Sequence, residues 1–150
     1  MRGGWSGRGS LEKRLKAITS PRAKRLLGAA LREAGETIAT YAQTSITRGA
    51  VSGKGHVPSK PGEAPRADTH RLADLIEVTQ PDPLEVIISS NAPYGAAQEF
   101  GADIANAFGN GTAVTLPARP FMRPARDAKK KEARKKFAEA VDHIVRGGAG

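Results

Sequence analysis

The stretch Ala118-Arg119-Pro120-Phe121-Met122-Arg123-Pro124-Ala125 decides how this chain is read. Its two prolines fix φ and push the residue before each towards extended backbone, so the turn is stiff and sets where Phe121 points. Phe121 is one of four phenylalanines in a chain with 5% aromatic residues. On one reading it is a core plug, since truncating a buried ring of that size costs about 3–5 kcal/mol. On the other it anchors a neighbouring subunit, with Arg119 and Arg123 pairing across the contact. Beyond Pro124 a charged helix is expected to about Val145. Its first half carries Arg126, Lys129, Lys130, Lys131, Arg134, Lys135 and Lys136 against Asp127 and Glu132. Its second half carries an apolar stripe of Phe137, Val141, Ile144 and Val145, closed by Gly147-Gly148. The first half should stay in water and the second should dock.

Upstream of the turn, Thr112 to Leu116 is a strand candidate and Ala102 to Gly111 a loop bearing glycine and asparagine. Tyr94 to Phe100 reads as a short helix stopped by Gly101, with Tyr94, Ala97 and Phe100 on one face and Gln98 and Glu99 elsewhere. Before it lies the clearest hairpin in the chain: Ile76-Glu77-Val78-Thr79, a Pro81-Asp82-Pro83 turn, and a return over Leu84 to Ser90. Asp68-Thr69 is the expected cap of a short helix through Leu72 to Leu75. The preceding segment from Gly49 to Asp68 has little apolar periodicity and reads as a long loop, of the kind that is functional or disordered.

Ser20-Pro21 is a strong helix start, with serine as cap and proline at the first helical position. From there Leu27, Leu31, Ala34, Ile38, Tyr41 and Ser45 mark one face of a helix to about Thr47. Gly28 and Gly35 weaken that helix by about 1 kcal/mol each relative to alanine, so packing must hold it; the two glycines either serve close helix contact or are an incidental weakness. Ser10 caps a shorter helix from Leu11 to Ile18. Residues 1–9 form a Gly/Arg-rich arm, read as mobile or as a strap that orders on a partner through Trp5 and Arg8. The expected organisation is therefore a basic arm and short helix at 1–19, a single α+β domain at 20–146 with an extended loop at 48–68, and a disordered tail at 147–150.

Asn91-Ala92-Pro93-Tyr94-Gly95-Ala96-Ala97-Gln98-Glu99-Phe100-Gly101, followed by the Ala118–Ala125 turn, resembles the minor tail or tail-completion family of long-tailed bacteriophages. The family's recurring pieces occur in order: Ser59-Lys60-Pro61-Gly62, Thr69 to Leu72, Tyr94 with Glu99-Phe100-Gly101, and Arg119-Pro120-Phe121 before a C-terminal helix. The resemblance spans roughly residues 20–145. It implies an α+β subunit with a long N-terminal helix, one small antiparallel sheet of about three to four strands, a short helix and a C-terminal helix, closing into a ring. The implied function is structural: a neck or tail-completion ring joining the tail to the DNA-filled head, assembled in the host cytoplasm and carried in the virion. The implied partners are further copies of the chain, as a hexamer or alternatively a dodecamer, together with a head-closure or adaptor protein, a tail terminator or tail tube protein, and packaged DNA. Implied subunit contacts are Tyr94, Glu99, Phe100, Arg119, Phe121 and Arg123, with Glu99 either pairing with Arg119 or Arg123 of a neighbour or standing as an ordinary surface carboxylate. Ser59, Lys60, Pro61 and Gly62 are implied to lie on an excursion that reaches a neighbour. Lys129, Lys130, Lys131, Arg134, Lys135 and Lys136 are candidates to face the DNA channel or an acidic partner.

At 150 residues the chain suits one domain, which buries about 68–70% of the surface that the unfolded chain exposes. Without cysteine there is no disulfide framework or thiolate metal site. Early basic residues leave no leader-like apolar run, and no stretch approaches the roughly 20 apolar residues of a membrane span. A net charge of +9 favours a polyanionic partner. The alternative reading is thus a small basic nucleic-acid-binding protein, gripping phosphate without base stacking because the basic half-helix lacks aromatics. Enzyme chemistry finds no footing and no cofactor is expected. Gly49 to Gly55 lacks the spacing and hydroxyl of a phosphate loop, and His56, His70 and His143 lack paired metal-ligand spacing. No serine sits in a nucleophile elbow.

Overall fold

Ser20 and Pro21 start the longest helix as the sequence requires. In the computed structural model, which describes residues 7–148, α2 runs Pro21–Thr47, and the Ser20 side chain accepts the Ala23 amide at 3.1 Å. The expected arm through Trp5 and the end of the expected tail lie outside the described residues, as does the Arg8 side chain. Before α2, α1 spans Arg8–Thr19 from an uncapped Gly7, so Ser10 lies inside the helix instead of capping it. After α2 come α3 (Arg71–Asp74), β1 (Ile76–Asp82), β2 (Glu85–Ser90), α4 (Gly95–Phe100), β3 (Ala102–Ile104), β4 (Val114–Leu116) and α5 (Met122–His143). A wide last turn, Ile144–Gly148, ends where Gly147 turns to φ 100°.

The spine of the molecule is α2 against α5. The buried face of α2 is made largely of small residues, Ala23, Gly28, Ala34, Gly35, Ala39 and Ala42, with Leu27 and Ile46 at its ends. One core gathers Ile46, Leu72, Ile76, Phe121 and Ala125 around the second half of α2. A second joins Ala23 and Leu27 to Ile144, with Phe137 and Val141 packed on it, so the C-terminal half of α5 docks as its stripe predicts. Tyr41, expected on the buried face, is 41% exposed. The reason is that burial follows the small residues on either side of it.

The close approach that Gly28 and Gly35 permit is made by the hairpin and not by a helix. A Cβ on Gly28 would collide with the Pro83 carbonyl oxygen, and one on Gly35 would lie 2.7 Å from Val86 Cγ1. Within the hairpin, Val78 pairs with Ile88 and Thr79 with Ile87, after which the register shifts so that Asp82 faces Glu85. The shift falls at Pro81, which has no amide to give the ladder. The strand consequently runs through Pro81-Asp82, and the turn is Pro83-Leu84, later than the sequence suggests.

Several expectations are corrected. The strands form two separate antiparallel pairs, β1 with β2 and β3 with β4, in place of one sheet. After β2 the chain enters α4 and leaves it through Gly101 at φ 77°, so the three-residue strands β3 and β4 satisfy one another. The expected loop at 102–111 accordingly begins as a strand. α3 is entered through His70 at φ 59°, with no side-chain cap from Asp68 or Thr69. Asp68 instead ties down the long loop, accepting the Gly53 amide at 2.8 Å on its carboxylate and the Ser52 hydroxyl on its carbonyl. That loop folds back on its own chain: Ala67 donates to the Ile46 carbonyl at 3.0 Å and Gly62 to the Ala118 carbonyl at 2.8 Å.

Candidate functional site

Helix α5 begins at a Phe121 cap residue with no side-chain acceptor and no acidic residue in its first turn. A helix start exposes amides without intrahelical partners. Here they are met from a distance. Glu99 Oε2 accepts from the Phe121 amide at 2.8 Å and the Met122 amide at 2.9 Å, and Oε1 accepts from the Arg123 amide at 2.9 Å. The next residue, Pro124, has no amide to satisfy. The negative carboxylate also sits at the positive end of the helix dipole. Glu99 is thus not the ordinary surface carboxylate of one sequence alternative: it is 7% exposed and bound to the backbone of its own chain.

The orientation of α4 explains how the carboxylate gets there. Gly95 and Glu99, four residues apart, turn inward, whereas Tyr94 and Phe100 are 40% and 70% exposed. The shared aromatic face expected of this helix is thus its outer side. Gly95 leaves room beneath it: a Cβ there would lie 2.8 Å from Ser90 Oγ, and that hydroxyl would have to turn aside.

Phe121 is 1% exposed and fills the main core. Arg119 is half-buried, its amide donating to the Gln98 carbonyl at 2.6 Å and its Nε to the Ser59 carbonyl at 3.2 Å, so it locks the turn to α4 and to the loop. Ser59 is buried, while Lys60, Pro61 and Gly62 remain exposed. Glu99 and Phe121 being enclosed, the expectation of contact with a neighbour passes to the exposed Tyr94, Phe100 and Arg123. Glu99, Phe100, Phe121 and Arg123 converge on one groove of about 610 Å³ between β2, α4 and the start of α5. Ile38, Val86, Ile88 and Met122 give it an apolar floor, and Arg126 joins Arg123 on its wall. Tyr94 lies elsewhere, beside Ile46 and Gln98 in a smaller cavity of about 170 Å³. Sequence reasoning missed Ile38, Val86, Ile88 and Arg126, because only the packing of the hairpin on Gly35 brings them together.

The basic half of α5 divides in two. Lys129 lies 5.6 Å from the centre of the Tyr41 ring and 2.9 Å from Glu132, whose carboxyl this hydrogen bond holds below its ordinary range. Lys136 bonds Glu33 of α2, which holds its ammonium above the ordinary range. Lys130, Lys131, Arg134 and Lys135 are exposed on the outer side, where Lys135 lies 3.8 Å from Glu139. Among the described residues no group of three or more His, Asp or Glu is placed to hold a metal ion. No helix among them is long and apolar enough to cross a membrane.

A family model described as "Bacteriophage HK97-gp10, putative tail-component" matches residues 9–101, more than half of the chain. The match takes in α1, which lies before the span of the resemblance, and stops at the glycine after Glu99-Phe100. No curated protein and no solved structure matches.

Proposed function

Because the chain belongs to the HK97-gp10-like family of bacteriophage tail components, we propose that it is a structural virion protein forming a ring in the neck or tail-completion region, where the tail joins the DNA-filled head. Membership over residues 9–101 is the observation that carries this reading. A closed ring needs two different complementary surfaces on each subunit. The arginine-walled groove and the outward Phe100 supply one candidate surface, and the exposed Leu84 and Ile87 of the hairpin another. The ring is a hexamer, with a dodecamer as the alternative. Its neighbours are a head-closure or adaptor protein on one side and a tail terminator or tail tube protein on the other. The outward ridge of Lys130, Lys131, Arg134 and Lys135 faces the DNA channel, contacting phosphates without reading bases. The Tyr94 aromatic and the exposed Lys60-Pro61-Gly62 stretch contact neighbouring subunits.

The test is native mass across a salt series, after nuclease treatment and with a check for bound DNA. A discrete sixfold or twelvefold species free of nucleic acid supports the ring. The same cationic ridge favours a second reading, a small basic nucleic-acid-binding protein. A monomer whose DNA affinity falls steeply with salt would replace the ring with that reading.

A further inference from the structure

Residues 72–118 contain six carboxylates and no lysine, arginine or histidine, so all 24 basic side chains of this +9 chain lie outside that segment. The hairpin belongs to this acidic half, and its carboxylates Glu77, Asp82 and Glu85 are exposed. Among the described residues the ion pairs join side chains of α2, α5 and the last turn, and none engages these three. The hairpin also carries uncovered apolar surface: Leu84 at the turn is 46% exposed and Ile87 is 44% exposed. The turn is held in shape, because Asp82 Oδ1 accepts the Leu84 amide at 3.0 Å.

The groove beside α5 has the complementary character. Its floor is apolar, and Arg123 and Arg126 stand on its wall. Both arginines sit near the N-terminus of α5, where the helix dipole disfavours cations, so folding of that helix does not call for them. Among the described residues Arg126 pairs only with its sequence neighbour Asp127, in an exposed pair at 2.8 Å. The hairpin of the same chain lends Val86 and Ile88 to the groove, but its turn is held elsewhere on α2, where the Pro83 carbonyl rests on Gly28.

We propose that the hairpin turn of one copy seats in the groove of the next, with Leu84 over the apolar floor and Asp82 and Glu85 opposite Arg123 and Arg126. The occupant is a second copy of this chain, chosen by charge complementarity and by the match of one exposed leucine to one apolar groove. The contact is heterologous, turn to groove, and so propagates around a ring. It rests on the ring reading and specifies its interface.

The experiment uses two full-length variants, D82K/E85K and R123E/R126E, each checked for parental circular dichroism and melting. Each alone places like charges across the contact and should raise the dissociation constant about a hundredfold. Mixed in equal amounts they should reassemble, because every turn then meets a groove of opposite charge, in alternation that closes only with an even number of subunits. As a readout that does not depend on those folds, E85C and R126C on separate copies of this cysteine-free chain should form a disulfide-linked heterodimer. A parent that forms the ring while both reversed variants assemble equally well overturns this contact and leaves the ring standing. The contact is overturned in the same way if the mixture fails to reassemble or the cysteines fail to cross-link. A parent that stays monomeric at high concentration and low salt overturns both.

Discussion

The Glu99 carboxylate accepts the Phe121 amide at 2.8 Å across 22 residues of sequence, and through it α4 determines where α5 starts. With the Met122 and Arg123 amides bound to the same carboxylate, and proline next, the first turn of α5 is fully accounted for. Removing an ordinary helix cap costs about 0.5–2 kcal/mol, and each buried donor left without a partner about 1–3 kcal/mol. Glu99→Ala should therefore destabilise the chain by at least about 2 kcal/mol in urea unfolding, with Glu99→Gln losing less because one acceptor oxygen survives. Amide exchange at Phe121, Met122 and Arg123 should quicken before exchange at Ile46 does. Unchanged exchange at those three amides would sink the capping assignment.

Phe121 itself is a stability residue. At 1% exposure among Ile46, Leu72, Ile76 and Ala125, its truncation leaves a void that the surrounding core closes only in part. Phe121→Ala should lose about 3–5 kcal/mol and Phe121→Leu less. Thermal unfolding measures both, and a Phe121→Ala chain as stable as the parent would remove the ring from the core.

Gly28 and Gly35 should behave differently although both lie on the buried face of α2. The obstacle at Gly35 is a side chain, Val86 Cγ1, whereas the obstacle at Gly28 is the Pro83 backbone oxygen. Gly35→Ala should thus be destabilising alone and partly rescued by Val86→Ala, with a coupling of about 0.5–3 kcal/mol in a double-mutant cycle. Gly28→Ala should be the more damaging change, and trimming Gln80, the side chain closest to it, should not rescue it. Equal costs for the two would mean that the hairpin is free to shift on α2.

These three cases show which parts of the architecture are legible in the residues. Local signals were sufficient for α2, because Ser20-Pro21 fixes its start within its own turn, and for the hairpin, whose alternation is a property of neighbouring residues. The apolar stripe of Phe137, Val141 and Ile144 likewise announces its docking. The cap on α5 could not be read in that way, since two strands and a loop separate the acceptor on α4 from its donors. Its one local trace is negative: Phe121 stands where a cap residue belongs, with nothing in the first turn to serve. The inward turn of Glu99 was obscured because Tyr94, Ala97 and Phe100 make the more hydrophobic face. In an isolated subunit that face still lies outward, a pattern that hydrophobic spacing assigns to the core. The division of the strands into two pairs depends on Gly101 and its φ of 77°, which spacing alone does not specify.

Two side-chain pairs of α5, Lys129 with Glu132 inside the helix and Lys136 with Glu33 of α2, should show themselves in pH titration. Lys129 holds the Glu132 carboxyl below its ordinary 4.5, mainly through their hydrogen bond. A group whose pKa falls on folding contributes its stability above the unfolded value and loses it as pH drops through the folded one. The Glu132 contribution is accordingly complete above about pH 4.5 and lost in more acid solution. Lys136 is the opposite case, raised above 10.5 chiefly by its hydrogen bond to Glu33, so its contribution is complete below that value and lost as pH rises through the folded one. Both ties are therefore intact across the neutral range, and both are solvent-exposed, so salt should weaken them. In a carbon-detected NMR titration, Lys129→Ala should move the Glu132 midpoint back up towards its ordinary range, and Glu33→Gln should lower that of Lys136. A Glu132 midpoint unmoved by Lys129→Ala would show that the pair does not persist in solution, and that Lys129 is then free to join the outward ridge of Lys130, Lys131, Arg134 and Lys135.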